Sequence, residues 1–411
     1  MSYRILAKDY YVNNDTHITH QNNNDAIIGG SGSGKTRGYV LPNILNSNDE
    51  SIIVTDTKFM ISKKTEKILK TRGYKIYRLN FRELLDNEFG YNPLNFIRYK
   101  KRNVNGELIN IYNEQDIFTL CECVIGREVF KDSAYWEESA KDYLFVLVSY
   151  VLKMCDDSEK NLNTVIKLSA KNISNDFQLR MKEYCLRYGE DNCYLKYQNL
   201  LSLTKSEKTF ACVKSTLDTA VRYFSQEGVE KLFNLKQQIS FTKLAKEKSV
   251  LYIEISDVDR VSDSLLNLFY TQAFQQLINF ADKQENSRLP IPVRIYLDDF
   301  ACNAKIPNFD KIIATVRSRE LYVSIILQSI SQLKALYGTV GMAETIIDNF
   351  DHIVYLGGQD EQTVNYFARR FGCNSKKIYE MPVDTAIVLA KGEKALMRNR
   401  YDTSDIEREL I

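Results

Sequence analysis

The octapeptide Gly29-Gly-Ser-Gly-Ser-Gly34-Lys35-Thr36 limits what this chain can fold into more than any other stretch. It satisfies G-x-x-x-x-G-K-[ST] and lies between a short apolar run at 25–28 and a helical stretch at 35–45, the context the motif requires. Glycines let the backbone curl so that successive N–H groups converge on an anion. Lys35 adds a point charge for the β- and γ-phosphates, and Thr36 offers a hydroxyl to Mg²⁺. The helix that starts near Lys35 adds its positive dipole end. A flexible Gly/Ser loop would explain the glycines, but not the lysine, the threonine and the flanking strand together. Gly29, Gly30, Ser31, Gly32, Ser33, Gly34, Lys35 and Thr36 are therefore expected to bind a nucleoside triphosphate with Mg²⁺.

The surroundings of this loop set the fold class. Apolar runs at 25–28, 51–55 and 74–79 alternate with helical stretches at 35–45 and 62–71, which predicts a parallel sheet with helices on its faces. From about Trp136 the period is helical only, and no good strand appears before Ser249. Strands are then expected at 250–255, 293–297, 322–327, 352–356, 386–390 and 395–398, with helices at 263–281, 308–319, 343–349 and 361–371. The expected class is α/β, a mostly parallel sheet interrupted by an all-α domain. Residues 1–135 and 249–411 would form a nucleotide-binding domain in two parts, and 136–248 the insertion. A chain of 411 residues has room for both, since single cores rarely grow beyond ~250–300 residues. Residues 1–25 read as a loop or edge segment.

Charge is balanced overall, +2 from 55 basic and 53 acidic residues, so no global pull toward nucleic acid or anionic membrane exists. The imbalance is local. Between residues 160 and 250 there are 16 Lys/Arg against 9 Asp/Glu, a bias shared by a solvated helical face and by a patch for an acidic partner.

The stretch Ile295-Tyr-Leu-Asp-Asp-Phe-Ala-Cys-Asn303 runs an apolar strand into two adjacent carboxylates. Repulsion and desolvation oppose that placement unless the pair reaches solvent or meets a cation. The phosphate loop supplies the cation. Asp298 is then expected to hold the Mg²⁺ water shell, and Asp299 to position and deprotonate the attacking water. Downstream, Gln328 ends a strand at the sheet's carboxyl edge, where its amide can reach the γ-phosphate or the water. Arg317 and Arg319 close a helix before that strand. Either could reach a neighbouring subunit's nucleotide, and either is also favourable simply as a cation at a helix C-terminus.

Other chemistry is poorly supported. The 8 cysteines form no Cys-x-x-Cys pair, which argues for a reducing compartment and against structural zinc or a disulfide frame. The 3 histidines, two of them in His17-Ile-Thr-His20, read as parts of solvated turns more readily than as metal ligands. The most apolar segment, residues 143–152, is about half the ~20 residues a bilayer span needs.

Taken together, GGSGSGKT, Leu41-Pro-Asn-Ile-Leu45, the Thr-Asp-Thr-Lys segment at 55–58, Tyr91-Asn-Pro-Leu94, Trp136 opening a helix, LDDFACN and LQSISQL resemble the type IV coupling proteins. These are DNA-pumping ATPases of conjugation and type IV secretion, and the resemblance runs from about residue 6 to 401. It implies a RecA-like nucleotide domain interrupted by an all-α domain, with ATP and Mg²⁺ bound between subunits of a hexameric ring. It also implies partners: single-stranded DNA, relaxase and accessory relaxosome proteins, and membrane-embedded channel proteins. The implied location is cytoplasmic, at the inner face of the cell membrane. By position, Lys35 and Thr36 match the phosphate-loop pair, Asp298 the metal-side acid, Asp299 the catalytic acid, Arg317 the arginine finger and Gln328 the glutamine of the third motif. Arg319 is the second choice for the finger.

Three features depart from the family's pattern. Asp299 stands where the second acid is usually glutamate. The usual Asp-Pro-Lys-Gly reads Asp56-Thr-Lys-Phe59, although Phe59 cannot cheaply replace a glycine at positive φ. N-terminal transmembrane helices are absent, so the chain is expected to be an excised cytosolic part or a soluble version with a separate membrane recruiter. An ATP-bound docking receptor with little turnover is the alternative function. A small-molecule P-loop kinase is weaker, because such enzymes are usually shorter and carry a lid.

Overall fold

The computed structural model describes residues 3–104, 106–126, 134–256, 262–300, 305–338 and 341–404. Residues 301–303, the end of the acidic motif, lie outside them. In chain order the strands are β1 (Tyr3–Ala7), β2 (Tyr10–Asn13), β3 (Asp25–Ile28), β4 (Ser51–Asp56), β5 (Lys75–Asn80), β6 (Tyr99–Val104), β7 (Glu107–Tyr112), β8 (Ser249–Glu254), β9 (Val293–Leu297), β10 (Leu321–Leu327), β11 (His352–Tyr355), β12 (Thr385–Ala390) and β13 (Leu396–Asn399). Contacts divide the chain into two units. One comprises Met1–Arg82, Ser240–Arg260 and Ala273–Ile411, the other Glu83–Ile239 and Val261–Gln272.

The first unit is built on a nine-stranded sheet among the described residues, in the order β13-β12-β11-β3-β10-β9-β4-β8-β5. Every pair from β11 to β5 is parallel, and the pairs β11–β12 and β12–β13 are antiparallel, so that β12 alone of the nine runs in the reverse direction. The parallel strands are buried on both faces, which is why β4, β8, β9 and β10 read as continuous apolar runs rather than alternating ones. Parallel strands fed by crossover helices place all their carboxyl ends along one edge of the sheet.

Residues 3–19 are more ordered than a loop. β1 and β2 form a hairpin, and a single helical turn, Thr16–Thr19, follows with Asp15 as its cap. The hairpin is held by polar contacts that composition does not reveal. Asn43 accepts from the Ile5 amide and donates to the Ile5 carbonyl, each at 2.8 Å, and Arg4 on β1 donates to Asp25 at the start of β3 at 2.8 Å. Asp25 is fully buried. Burial acts to raise its pKa, but Arg4, then His352 and Arg294, outweigh that and hold the carboxyl below its usual range. Arg4 and Arg294 are themselves buried and further bonded, Arg4 to Asn14 and Asn23 and Arg294 to Glu50.

The second unit differs in its bounds from residues 136–248: it begins at Glu83, ends at Ile239, adds Val261–Gln272, and is not purely helical. It includes the antiparallel hairpin β6–β7, whose strands lack the clean alternation that would have signalled them. Its centre is the helix Ala134–Met154, in which every residue from 143 to 152 is buried. A helix that is apolar all round is a core helix once others pack about it. Helices Asn192–Leu203 and Glu207–Val221 pack on it, and Phe145 stacks on Phe118 at 4.4 Å. Among the described residues no helix is long and apolar enough to cross a membrane.

Candidate functional site

The phosphate loop leaves β3 at the carboxyl edge and is fastened to both neighbouring strands. The Gly29 amide donates to the Leu327 carbonyl of β10 at 3.0 Å, and the Gly30 amide to the Gly357 carbonyl beyond β11 at 2.8 Å. Gly29 has no room for a side chain, since a Cβ would lie 2.4 Å from Ser33 Oγ and 3.0 Å from Leu356 Cβ. Gly34 has φ +82°, a conformation that L side chains rarely adopt. Ser33 Oγ is buried without a hydrogen-bond partner among the described residues, a polar atom left over inside the loop.

After the loop the chain is helical, as expected, but Thr36–Val40 forms a π-helical turn before the α-helix Leu41–Asn46. Pro42 explains the widening. It has no N–H to give and its ring would press on the preceding turn of an α-helix, which the looser i→i+5 spacing relieves. Lys35 is buried, and its ammonium donates to the Gly29 and Gly30 carbonyls at 2.7 and 3.1 Å. Its charge is thus held inside the loop.

The acidic pair stands at the same edge, two strands away. Thr36 Oγ1 donates to Asp298 Oδ2 at 3.1 Å, so the two residues expected to share a metal are in contact. Burial pushes the Asp298 carboxyl up to about 7, the neighbouring Asp299 charge adds to the rise, and the Thr36 hydrogen bond only partly offsets them. A buried carboxylate with a like charge beside it and a hydroxyl on one oxygen is an arrangement that a divalent cation relieves. Asp299 is half-buried, with φ +51°, and its amide donates to Asp298 Oδ1 at 3.1 Å. Aspartate tolerates that left-handed conformation better than most residues, because its short side chain bonds locally. The local backbone therefore gives a reason for aspartate that the sequence did not show.

Gln328 follows Leu327, the residue whose carbonyl holds Gly29, and so stands beside the loop. Its side-chain oxygen accepts from Gln332 at 3.3 Å. Arg317 and Arg319 occupy a 3-10 turn before β10, at the opposite edge of the sheet. Seven residues of strand separate that turn from Gln328, about 23 Å at ~3.3 Å per residue. Neither arginine therefore belongs to the constellation around its own chain's loop. Arg317 donates to the His20 carbonyl at 2.8 Å, and Arg319 pairs with Asp282 at 2.8 Å.

Two further residues take structural roles that the sequence did not assign them. Asp56, at the end of β4, caps the helix Met60–Thr71 by accepting from the Met60 and Ser62 amides at 3.0 and 2.8 Å. This holds Phe59 at φ +54°, the left-handed conformation that made its replacement of glycine notable, with the Arg82 guanidinium 5.5 Å over its ring. The other is Arg400, which donates to the Ser33 carbonyl inside the loop at 2.6 Å. His17 and His20 lie in the first helical turn and its cap, with His17 Nε2 2.7 Å from the Arg288 guanidinium, and His352 is buried beside Arg4 and Asp25. Among the described residues no group of three His, Cys, Asp or Glu is placed to hold a metal, and the seven cysteines are free.

Residues 5–378 match the type IV secretory system conjugative DNA transfer family. The chain belongs to this family. The fold agrees with solved structures of low sequence identity. Plasmid coupling protein TrwB in complex with the ATP analogue ADPNP superposes with a TM-score of 0.66 at 14% identity, over 94% of this chain and 86% of that one. TrwB in complex with ADP and Mg²⁺ gives 0.64 at 14% identity, over 92% and 85%. VirB4 of Thermoanaerobacter pseudethanolicus gives 0.55 at 12% identity, over 97% and 96%. No curated protein matches by sequence. The expected class, a mostly parallel sheet of RecA-like P-loop type, is the fold this conjugative DNA transfer family member shares with those structures.

Proposed function

We propose that this chain is a coupling ATPase of conjugative type IV secretion, which binds ATP with Mg²⁺ and uses its hydrolysis to drive single-stranded DNA, with its relaxase, toward the secretion channel. The carrying observation is the meeting at one sheet edge of the phosphate loop, the Thr36–Asp298 contact, Asp299 and Gln328. Family membership supports the DNA-transfer role, and the nucleotide complexes of TrwB support the ligand.

Each residue has a task in this reading. Backbone amides of residues 29–36 and the Lys35 ammonium receive the phosphates, Lys35 exchanging its two loop carbonyls for phosphate oxygens. Thr36 and Asp298 would hold the Mg²⁺, which when bound neutralises charge on the β- and γ-phosphates. Asp299 orients and deprotonates the attacking water, and Gln328 hydrogen-bonds the γ-phosphate or that water. Arg317, a strand's length from its own loop, serves as a finger in a neighbour's site within a ring, with Arg319 as the second choice. The protein works at the inner face of the cell membrane, with relaxosome and channel proteins as partners. The test is ATP hydrolysis measured against single-stranded DNA and protein concentration. Turnover should rise with both and be lost in Lys35→Ala and Asp299→Ala. DNA-independent hydrolysis at every concentration overturns the motor reading.

A second reading is favoured by Asp299, one methylene shorter than the family's usual acid. It makes the chain an ATP-bound docking receptor for relaxase and accessory relaxosome proteins, with little turnover of its own. Capture of relaxase by a variant lacking residues 161–237 tests it; unchanged capture removes it.

A further inference from the structure

Arg400 lies 367 residues beyond Ser33, just after β13, yet its guanidinium is bound to the phosphate loop. It uses three N–H groups on three backbone carbonyls. Nη1 donates to Ser33 at 2.6 Å, Nε to Thr385 at 2.9 Å and Nη2 to Leu356. These carbonyls belong to the loop, the start of β12 and the segment after β11, so one planar cation joins three chain segments. The residues after it continue over the same helix start. Asp402 pairs with Arg37 at 2.9 Å, and Thr403 donates to the Arg37 carbonyl at 2.7 Å. The Tyr401 carbonyl leaves only 3.0 Å for a Cβ on Gly38.

The choice of carbonyl matters chemically. The Ser33 C=O and the Gly34 N–H are the two ends of one planar trans peptide group and point in opposite directions. Fixing the oxygen on Arg400 therefore fixes the Gly34 amide on the side away from the guanidinium. A cation on the oxygen also polarises the peptide, making its N–H a stronger donor. At φ +82°, Gly34 has no side chain to lock this orientation, so an outside contact has to do so.

We propose that Arg400 is a positioning residue for nucleotide binding, holding the Ser33–Gly34 peptide with its N–H turned toward the phosphates. The inference rests on the reading of this loop as a nucleotide site. It sets no chemical role for Arg400 and needs no contact between the guanidinium and the ligand.

The test is calorimetric titration of the full chain with Mg²⁺ and a non-hydrolysable ATP analogue, at a temperature where circular dichroism shows each variant folded. Arg400→Ala should weaken binding by roughly tenfold or more, the loss expected for a charge-assisted hydrogen bond. Arg400→Lys, which keeps a cation but not the fork, should recover part of the affinity. Arg398→Ala, an exposed neighbour, should match the wild type. In steady state the change should fall on KM more than on kcat. Should Arg400→Ala not fold, Arg400→Gln and Arg400→Lys carry the comparison, with Lys the tighter. Wild-type affinity in Arg400→Ala or Arg400→Gln, with the wild type binding, overturns this inference alone. Absence of binding by the wild type overturns the nucleotide reading and this inference with it.

Discussion

The Thr36 hydroxyl rests on the Asp298 carboxylate at 3.1 Å, joining residues 262 positions apart at the carboxyl edge of the sheet. The contact makes the phosphate loop and the acidic strand end one site. It also places a carboxyl where ionisation is costly until a cation arrives.

That cost gives stability a pH dependence with a definite sign. The Asp298 carboxyl titrates near 7 when folded, against 3.8 as its ordinary value, so between those values the folded state holds a proton that the unfolded state has lost. Its contribution is fully present below pH ~4 and is lost as pH rises through 7. Asp298→Asn should gain on the wild type between pH 5 and pH 8, by on the order of 2 kcal/mol in urea denaturation without divalent metal. Mg²⁺ with nucleotide should bind the wild type more tightly as pH rises through 7, and Asp298→Asn weakly throughout. A pH-independent difference in stability would sink this account.

Gly29→Ala puts a methyl group 2.4 Å from Ser33 Oγ and 3.0 Å from Leu356 Cβ. Ser33 Cβ, at 3.2 Å, stays in the way whatever the hydroxyl's rotamer, and Leu356 Cβ is fixed by its strand end. Nucleotide affinity should fall by roughly tenfold, about 1.4 kcal/mol, and Gly29→Ala with Ser33→Gly should recover part of it. Equal loss in the single and double variants would show that the clash lies elsewhere.

Asp25→Ala leaves Arg4 and Arg294 buried without their shared carboxylate. Removing one partner of a buried ion pair costs about 3–5 kcal/mol. Denaturant unfolding at neutral pH should show that loss, with nucleotide affinity near normal in the folded fraction, since the network sits at the edge away from the loop. A change below about 1 kcal/mol would mean that the arginines find other acceptors.

Asp299→Glu separates the length of the acid from the strain of its backbone. Turnover should be preserved or rise if the water is positioned as in a site built for glutamate. Stability should fall slightly, by under about 1 kcal/mol, because glutamate is less at ease at φ +51°. Complete loss of turnover would show that the site is built around the shorter side chain.

Much of the central sheet was legible because each strand buried on both faces is a short apolar run bounded by turn residues. β3 and β9 and the helices Asp263–Ala281 and Glu361–Phe371 fall at the expected residues. Two hairpins were not. β1–β2 depends on Arg4 reaching Asp25 and on Asn43 clasping Ile5. β6 carries Lys100, Lys101 and Arg102 in succession and is exposed along nearly its whole length, so it has no buried face to announce it.

By itself the sequence determined the loop, the acid that ends β9 and the alternation that brings both to a sheet, because these rest on local backbone geometry and on the period of apolar residues. Only the tertiary structure decided which residues share an edge. Strand direction put Gln328 beside the loop and the Arg317 turn a strand's length away, although eleven positions separate them in sequence. Chain return brought Arg400 back onto Ser33 from 367 residues away. A hydrogen bond between distant segments leaves no period or spacing in the chain, since its geometry exists only once the sheet has aligned the strand ends.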